Sequence, residues 1–367
     1  MKIPVTLSKY IAKQFFVSFI IVFTIIALII ALFDTLELFR RMQGKDIPSD
    51  IIMAIVALKM PYLLQQLLPF IVLIATLLTF TKLTKSLELV VARAAGVSVW
   101  QFLFPAVVIT LLIGVVNITS VNPLSAVMLN KLDFMEAKYF SGNVNTFSIS
   151  STGLWLKQED KVKKEKIIIH ALRTSDESSK LYDVTFYIFG ITGNLENRIF
   201  TKEAELKEQY WFLKDGIIFN PDKNEEKIII RDYKIPTTLK IQQIQNSFFP
   251  PENISFWNLA DFIATLKSAG FSASRHILYW HKTITEPLLL TAMVFFAAIF
   301  SLRLYRKGRT GVMLAYGLLL GFAVKFLSDI VAAFALSGDI PPLVATWGPI
   351  IIITFASISL LLHLEDG

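Results

Sequence analysis

The sequence contains no cysteine and few charged residues. Without cysteine, the 367-residue chain forms no disulfide bond and offers no thiolate to a metal ion. Only 18% of its residues are charged, whereas about a quarter are charged in ordinary soluble domains. Hydrophobic residues make up 54% of the chain, and the mean hydropathy is +0.57. This composition indicates an integral membrane protein.

The sequence also lacks the motifs of a nucleotide-binding or metal-dependent enzyme. It contains no G-x-x-x-x-G-K-[ST] phosphate loop, no H-E-x-x-H motif and no G-x-S-x-G motif. Its histidines are scattered, at positions 170, 276, 281 and 363. We therefore expect no catalytic residue, no metal site, no cofactor and no nucleic-acid partner. The energy for any transport work is expected to come from a partner protein.

Six apolar runs are long enough to cross a bilayer. They lie at about 14–36, 57–81, 98–121, 280–302, 310–336 and 340–363. A helix of about 20 residues spans the roughly 30 Å of hydrocarbon in a bilayer. No small-residue cleavage site follows the first run, so we expect it to be retained as a span. The sequence therefore predicts six transmembrane helices.

The composition changes between the third and fourth runs. Short β-branched and aromatic segments there are separated by Gly, Asn, Asp and Pro, which is typical of antiparallel strands. We predict three spans within 1–134, an all-β domain of sandwich or jelly-roll type at 135–253, a linking amphipathic helix at 254–275, and three spans within 276–367. The fold class is thus three plus three transmembrane helices with an inserted β domain.

Basic residues predict which side of the membrane each loop occupies. If the N-terminus is cytoplasmic, the cytoplasmic segments carry Lys2, Lys9, Lys13, Lys82, Lys85, Arg93, Arg303, Arg306, Lys307 and Arg309. The short loops on the other side carry Arg40, Arg41 and Lys45. This bias follows the positive-inside rule. It predicts cytoplasmic termini and a β domain on the opposite side, which is the periplasm in a Gram-negative cell.

The stretch "KSLELVVARAAGVSVW" at 85–100 places an acid between two apolar runs. Helical periodicity puts Leu87, Val90, Val91, Ala94 and Ala95 on one arc, which we expect to rest on the bundle. The same periodicity puts Lys85, Glu88 and Arg93 on the opposite side. The predicted helix covers about 84–96 at the cytoplasmic mouth of the bundle. Two interpretations remain open: a solvated loop, or a helix that docks into a groove of a cytoplasmic ATPase.

Several segments resemble the LptF/LptG family of lipopolysaccharide export permeases. They are "YIAKQFF", "LLPFIVLIATLLTFTKLTKSLELVVARAAGVS", "TGLWLKQ", "SRHILYWHKTITEPL" and "GDIPPLVATWGP". The resemblance covers essentially the whole chain, and span order and domain position agree with it. The "GLW" and "IPP" features favour the LptG branch.

The resemblance implies one subunit of an ABC transporter in the inner membrane of a Gram-negative bacterium. Its implied partners are a second homologous permease, a cytoplasmic ATPase dimer and a periplasmic jelly-roll bridge protein that receives lipopolysaccharide. Glu88 matches the glutamate of the family's coupling helix, and Lys85 and Arg93 lie beside it. Edge strands of the family's β domains pair with a neighbouring chain to build a groove for acyl chains.

Substrate contacts are also implied by the resemblance. Arg40 and Arg41 match basic residues that face the phosphates of the substrate, and their alternative role is to anchor the helix at the membrane interface. Asp34 stands where LptG relatives can carry a lysine, which departs from the family's pattern. Lys282 matches a basic position of the fourth span, where it contacts substrate, anchors the helix, or does both.

Two charged residues fall inside the fifth apolar run. The i,i+4 spacing of Lys325 and Asp329 puts both on one helix face, where they neutralise each other. Charges within a span usually face a polar cavity, so the pair lines such a cavity or is purely structural. Phe322 and Phe326 flank this face, where they contact acyl chains of the substrate or ordinary membrane lipid.

Two other functions remain open at this stage. One is a membrane-anchored periplasmic scaffold or binding module without a transport cycle. The other is a permease of a different ABC exporter that acts on another lipid or on lipoproteins. The scaffold hypothesis predicts that Glu88 is dispensable, because nothing docks there.

Overall fold

The structure is a computed structural model. It describes residues 5–41, 48–136, 139, 147–150, 153–159, 166–174, 180–190, 194–207, 210–220, 227–237, 250–268, 272–302 and 310–366. The chain divides into two compact units. The first comprises Met1–Asp133 and Ile277–Gly367, and the second comprises Phe134–His276.

Helices build the first unit, and most of them are long. They are α1 (Val5–Arg41), α2 (Ser49–Lys85), the short α3 (Glu88–Ala94), α4 (Val99–Val116), α5 (Asn122–Glu136), α7 (Ser274–Ser301), α8 (Thr310–Ser337) and α9 (Pro342–Asp366). Helix α6 belongs to the second unit and is described with it. A π-helical turn, Asn117–Val121, joins α4 to α5 and makes them one continuous span. Within the described ranges, six helices are long and apolar enough to cross a membrane. The prediction of six spans in two groups of three is confirmed.

Most helices extend beyond the apolar runs that predicted them. Helices α1 and α2 each contain 37 residues, whereas about 20 suffice for the hydrocarbon layer. Their additional turns carry charged residues such as Lys9, Asp50 and Lys85. Each of these helices therefore reaches past the apolar layer with a polar end.

A narrow stripe of α1 is buried in the first unit. The stripe follows the helical repeat and consists of Ile11, Phe15, Phe19 and Val22. These residues belong to a core that includes Phe80 of α2 and Phe102 of α4, both fully buried. Large apolar side chains elsewhere on α1, among them Leu28 and Phe33, are two-thirds exposed. This combination suits a helix that packs along one face and meets lipid on the others.

Helices α4 and α7 approach each other closely at a glycine. A Cβ atom placed on Gly114 would lie 2.7 Å from the Cα atom of Pro287. That distance is shorter than real side chains tolerate, and the neighbour is backbone, which cannot rotate away. The absence of a side chain at Gly114 therefore sets the separation of the two helices.

The second unit contains an antiparallel sheet. Its described strands are β1 (Phe147–Ser150), β2 (Gly153–Glu159), β3 (Lys166–Thr174), β4 (Lys180–Phe189), β5 (Leu195–Lys207), β6 (Tyr210–Phe219) and β7 (Lys227–Pro236). Each strand pairs with the next in chain order, from β1 to β7. The prediction of an all-β insertion between the third and fourth spans is confirmed.

The sheet curls so that its two ends approach each other. The Gln158 side chain on β2 donates a hydrogen bond to the Pro236 carbonyl at the end of β7, at 3.1 Å, and accepts one from the Thr237 hydroxyl at 2.6 Å. The inner face encloses a core that includes Phe186, Trp211 and Leu213, all fully buried. Strands β1 and β7 form the edges among the described strands.

A short amphipathic helix, α6 (Phe256–Ser268), follows the sheet. Its buried residues, Leu259, Ile263 and Leu266, repeat with helical spacing. The linking helix was expected over 254–275; the helix covers Phe256–Ser268, and residues 269–271 lie outside the described residues.

Candidate functional site

A left-handed turn separates α3 from the end of α2. Leu87 has φ 61° and ψ 6°, a conformation that is rare for a bulky residue. Helix α3 then covers Glu88–Ala94, which is shorter than the expected 84–96. Because the turn interrupts the helix, the angular position of residues after Leu87 cannot be counted from Lys85.

The expected apolar face of this segment was therefore wrong. Leu87 and Val91, expected to rest on the bundle, are 52% and 68% exposed. Leu89 instead enters the core of the first unit and is 5% exposed. The new start of the helix at Glu88 rotates Leu89 inward and turns Val91 outward.

The result is an exposed surface that mixes charged and apolar groups. We call the residues Lys85, Leu87, Glu88, Val91 and Arg93 the α3 surface; all five are exposed. A large apolar group on each side of a carboxylate is typical of a contact with another protein. The exposure of Leu87 and Val91 was not predicted, because a leucine in the sequence does not indicate a left-handed turn.

A hydrogen bond holds the Glu88 carboxylate from within the chain. The Ser86 hydroxyl donates to Glu88 Oε1 at 2.7 Å. Glu88 is thus an exposed carboxylate with a defined orientation.

The far end of α1 carries the arginines predicted to contact phosphates. Arg40 and Arg41 are exposed, and Arg41 forms an ion pair with Glu37 one turn earlier. Asp34 is 6% exposed and accepts a hydrogen bond from Lys59 Nζ of α2 at 2.5 Å. The negative charge at position 34 is therefore neutralised by α2. Sequence reasoning missed Lys59, although a lysine within an apolar run signals a partner.

The structure brings together three charged residues that were predicted on two separate spans. Lys325 Nζ of α8 lies 2.5 Å from Asp329 Oδ2, and Lys282 Nζ of α7 lies 3.2 Å from Asp329 Oδ1. The Lys325 side chain is 13% exposed, whereas those of Lys282 and Asp329 are about half exposed. One aspartate is thus shared by two lysines, which leaves cationic character at the surface.

Two phenylalanines accompany these charges on α8. Phe322 and Phe326 are 59% and 57% exposed. The Phe322 ring stacks on Phe70 of α2, with ring centroids 5.8 Å apart. Apolar surface therefore adjoins the cationic groups, as an amphipathic lipid requires.

A further polar network runs through the interior of the helices. The Gln65 amide of α2 donates to Asn117 Oδ1 at 3.0 Å, and the Asn117 amide donates to Glu286 Oε2 of α7 at 2.8 Å. Asn117 begins the π-helical turn and is 5% exposed. Sequence reasoning missed this network because a π-helical turn leaves no recognisable pattern.

A cavity of about 610 Å³ lies between α1, α2 and α4. Its walls are almost entirely apolar and include Phe16, Phe23, Leu64 and Leu112. Gln65 and Asn117 also border it, and their side chains are hydrogen bonded to each other. The cavity is thus suited to hydrocarbon.

The helices, the inserted sheet and the charges held within the spans define a multi-pass membrane protein with an all-β domain between its third and fourth spans. The profile of the lipopolysaccharide export system permease LptF/LptG family matches residues 9–363, nearly the whole chain. The chain therefore belongs to the LptF/LptG family, and the family prediction is confirmed. No curated protein matches the sequence.

Proposed function

We propose that this chain is a permease subunit of an ABC transporter that extracts lipopolysaccharide from the inner membrane of a Gram-negative cell. A lipopolysaccharide export permease is what membership of the LptF/LptG family indicates. A separate cytoplasmic ATPase dimer drives the transport, and a second homologous permease completes the complex. In this proposal the chain itself is not catalytic and transmits motion to a lipid cavity.

The observation that carries the proposal is the α3 surface. An exposed carboxylate between exposed Leu87 and Val91 fits a groove with apolar walls and a basic residue. Lys85 and Arg93 supply cations at the rim, where they steer association with an acidic partner. The charge bias of the loops supports a cytoplasmic location for this surface.

Lipopolysaccharide is an amphipathic anion, and two groups of residues suit it. Arg40 and Arg41 are exposed at the end of α1, where guanidinium groups can bind phosphate through paired hydrogen bonds. Lys282, Lys325 and Asp329 form a second cationic group next to Phe322 and Phe326, which lie within reach of acyl chains. Asp329 would release Lys282 or Lys325 when a phosphate competes for that lysine.

Passage to a periplasmic bridge protein is assigned to the β7 edge of the sheet. This edge strand is ten residues long and carries Ile228 and Ile229, which are 52% and 80% exposed. A long edge strand with exposed apolar side chains is a template for a strand of another chain. Strand β1 at the other edge has four residues, so it offers fewer backbone groups for pairing.

The experiment is purification with the ATPase after Glu88→Lys, measured together with ATP-driven lipopolysaccharide release from proteoliposomes. We expect the affinity to fall at least about tenfold, because reversing a charge paired across an interface costs roughly 2–5 kcal/mol. Glu196→Lys, an exposed glutamate on β5, is the matched control and should behave like wild type.

The outcomes separate the alternatives. Full association and full release in Glu88→Lys would contradict coupling through α3 and favour a scaffold. Normal ATPase coupling with release of lipoprotein, and none of lipopolysaccharide, would instead identify a different ABC exporter.

A further inference from the structure

The aspartate that two lysines share is held unequally by them. Lys325 Nζ, one turn earlier on α8, donates to Asp329 Oδ1 at 2.6 Å and to Oδ2 at 2.5 Å. Lys282 Nζ of α7 donates to Oδ1 at the longer distance of 3.2 Å. The ion pair within α8 is therefore the tighter contact, and the ion pair between α8 and α7 is the weaker one.

Exposure separates the two lysines in the same order. The Lys325 side chain is 13% exposed, whereas that of Lys282 is 51% exposed. An ammonium group has three N–H donors, so Lys282 keeps donors for an external acceptor while it is bonded to Asp329. Lys325 is thus committed to the aspartate, and Lys282 is accessible to a ligand.

Apolar surface lies along the same face of α8. Positions 322, 325, 326 and 329 are spaced i, i+3, i+4 and i+7, so they form one stripe of the helix. Phe322 and Phe326 in this stripe are 59% and 57% exposed. A ligand that meets the stripe would present an anionic oxygen to Lys282 and hydrocarbon to the two rings. A lipid that carries a phosphate group has this chemistry.

We propose that Asp329 is a built-in competitor that weakens the binding of a lipid phosphate to Lys282 and thereby speeds release of the lipid. The inference rests on the proposed function, in which the lipid is lipopolysaccharide. A phosphate that binds Lys282 must replace the Asp329 contact, so the net gain in binding free energy is smaller. A transport site must bind its cargo weakly enough to let it leave.

The test is Asp329→Asn, which removes the negative charge and keeps the shape of the side chain. The transporter assembled with the full chain is placed in phosphatidylcholine nanodiscs, where binding and ATP-driven release of fluorescent lipopolysaccharide are measured. We expect binding about threefold to fivefold tighter and release slower by a similar factor, as for the loss of a half-exposed ion pair. Asp261→Asn, at an exposed position on α6, is the matched control and should behave like wild type.

A charge-matched double variant decides the question even if Asp329→Asn unfolds. Asp329→Asn alone leaves Lys325 without its partner, whereas Asp329→Asn with Lys325→Met replaces the pair by neutral groups. The double variant keeps the wild-type net charge of this group and frees Lys282. We expect it to bind lipopolysaccharide about threefold to fivefold tighter than wild type. A purely structural role, or an effect of net charge alone, predicts no gain, so unchanged or weaker binding overturns the proposal.

A parallel titration with phosphatidylglycerol separates this inference from the proposed function. Tighter binding of phosphatidylglycerol in the double variant, with no binding of lipopolysaccharide to the wild type, would refute the proposed function and support the role of Asp329. Binding of lipopolysaccharide that is the same in the wild type and the double variant would refute the role of Asp329 and leave the proposed function standing.

Discussion

The Asp34–Lys59 ion pair predicts different losses of stability for replacing one partner or the other, because the two side chains differ in burial. The Asp34 side chain is 7% exposed, and its Oδ2 atom is buried without a partner within the described part of the chain. The Lys59 side chain is 31% exposed, so it can extend toward water. Replacing Lys59 by methionine keeps most of the packing but leaves the aspartate uncompensated.

The expected cost follows from this asymmetry. Removing one partner of a buried pair typically costs about 3–5 kcal/mol, and Lys59→Met should reach this range because Asp34 cannot move to solvent. Asp34→Asn should cost only about 1 kcal/mol, since the lysine can extend to the interface and the amide still accepts its hydrogen bond. The double variant should be close to wild type, because an uncharged pair requires no compensation.

The measurement is the apparent Tm of the purified protein in nanodiscs, followed by loss of the monodisperse species. For Lys59→Met we expect a decrease of about 6–10 °C, at roughly 2 °C for each kcal/mol in a chain of this size. Lys9→Met, at an exposed position on α1, is the control and should not change the Tm. The reasoning is refuted if Lys59→Met melts like wild type, or if the double variant loses as much as the single one.

Two further predictions concern packing and assembly. Gly114→Ala should lower the apparent Tm by several degrees, because the added Cβ would collide with the backbone of Pro287. Gly348→Ala is the control: the added Cβ would have no atom within 4 Å, so the apparent Tm should stay unchanged or rise slightly. A photocrosslinker at Ile229 on the β7 edge should trap the periplasmic bridge protein, whereas one at Lys214 on β6 should not; equal crosslinking from both positions would contradict pairing through β7.

The helices and the sheet were predictable because each has a direct compositional signal. Apolar runs of 20 or more residues placed the spans, and alternating β-branched segments between polar breaks placed the strands. Helix ends were less predictable, since turns such as the one around Lys9 continue the helix with polar residues. Curling of the sheet depends on the contact between Gln158 and Thr237, which are distant in the sequence.

The candidate site was predictable to a smaller extent. Glu88, Lys85 and Arg93 were expected to be exposed, and they are. The apolar groups beside them were misplaced, because Leu87 adopts a conformation that leucine rarely adopts. The ion pair between Lys59 and Asp34 depends on how α1 and α2 align with each other. The periodicity of the sequence along one helix carries no information about this alignment.

The π-helical turn between α4 and α5 sets how the two halves of the third span face α7. Two asparagines five residues apart, Asn117 and Asn122, both bond to α7: one to Glu286 at 2.8 Å, the other to Tyr279 at 3.0 Å. In a regular α-helix, residues at this spacing point roughly 140° apart, whereas the i→i+5 bond of a π turn aligns them. Deleting one residue from the turn would place the two asparagines four residues apart in a regular α-helix, at roughly 40°, whereas a deletion in a regular part of the span would rotate its two halves by roughly 100° against each other. The π-helical turn is therefore the place where the third span can change its residue number and still face α7 with both asparagines.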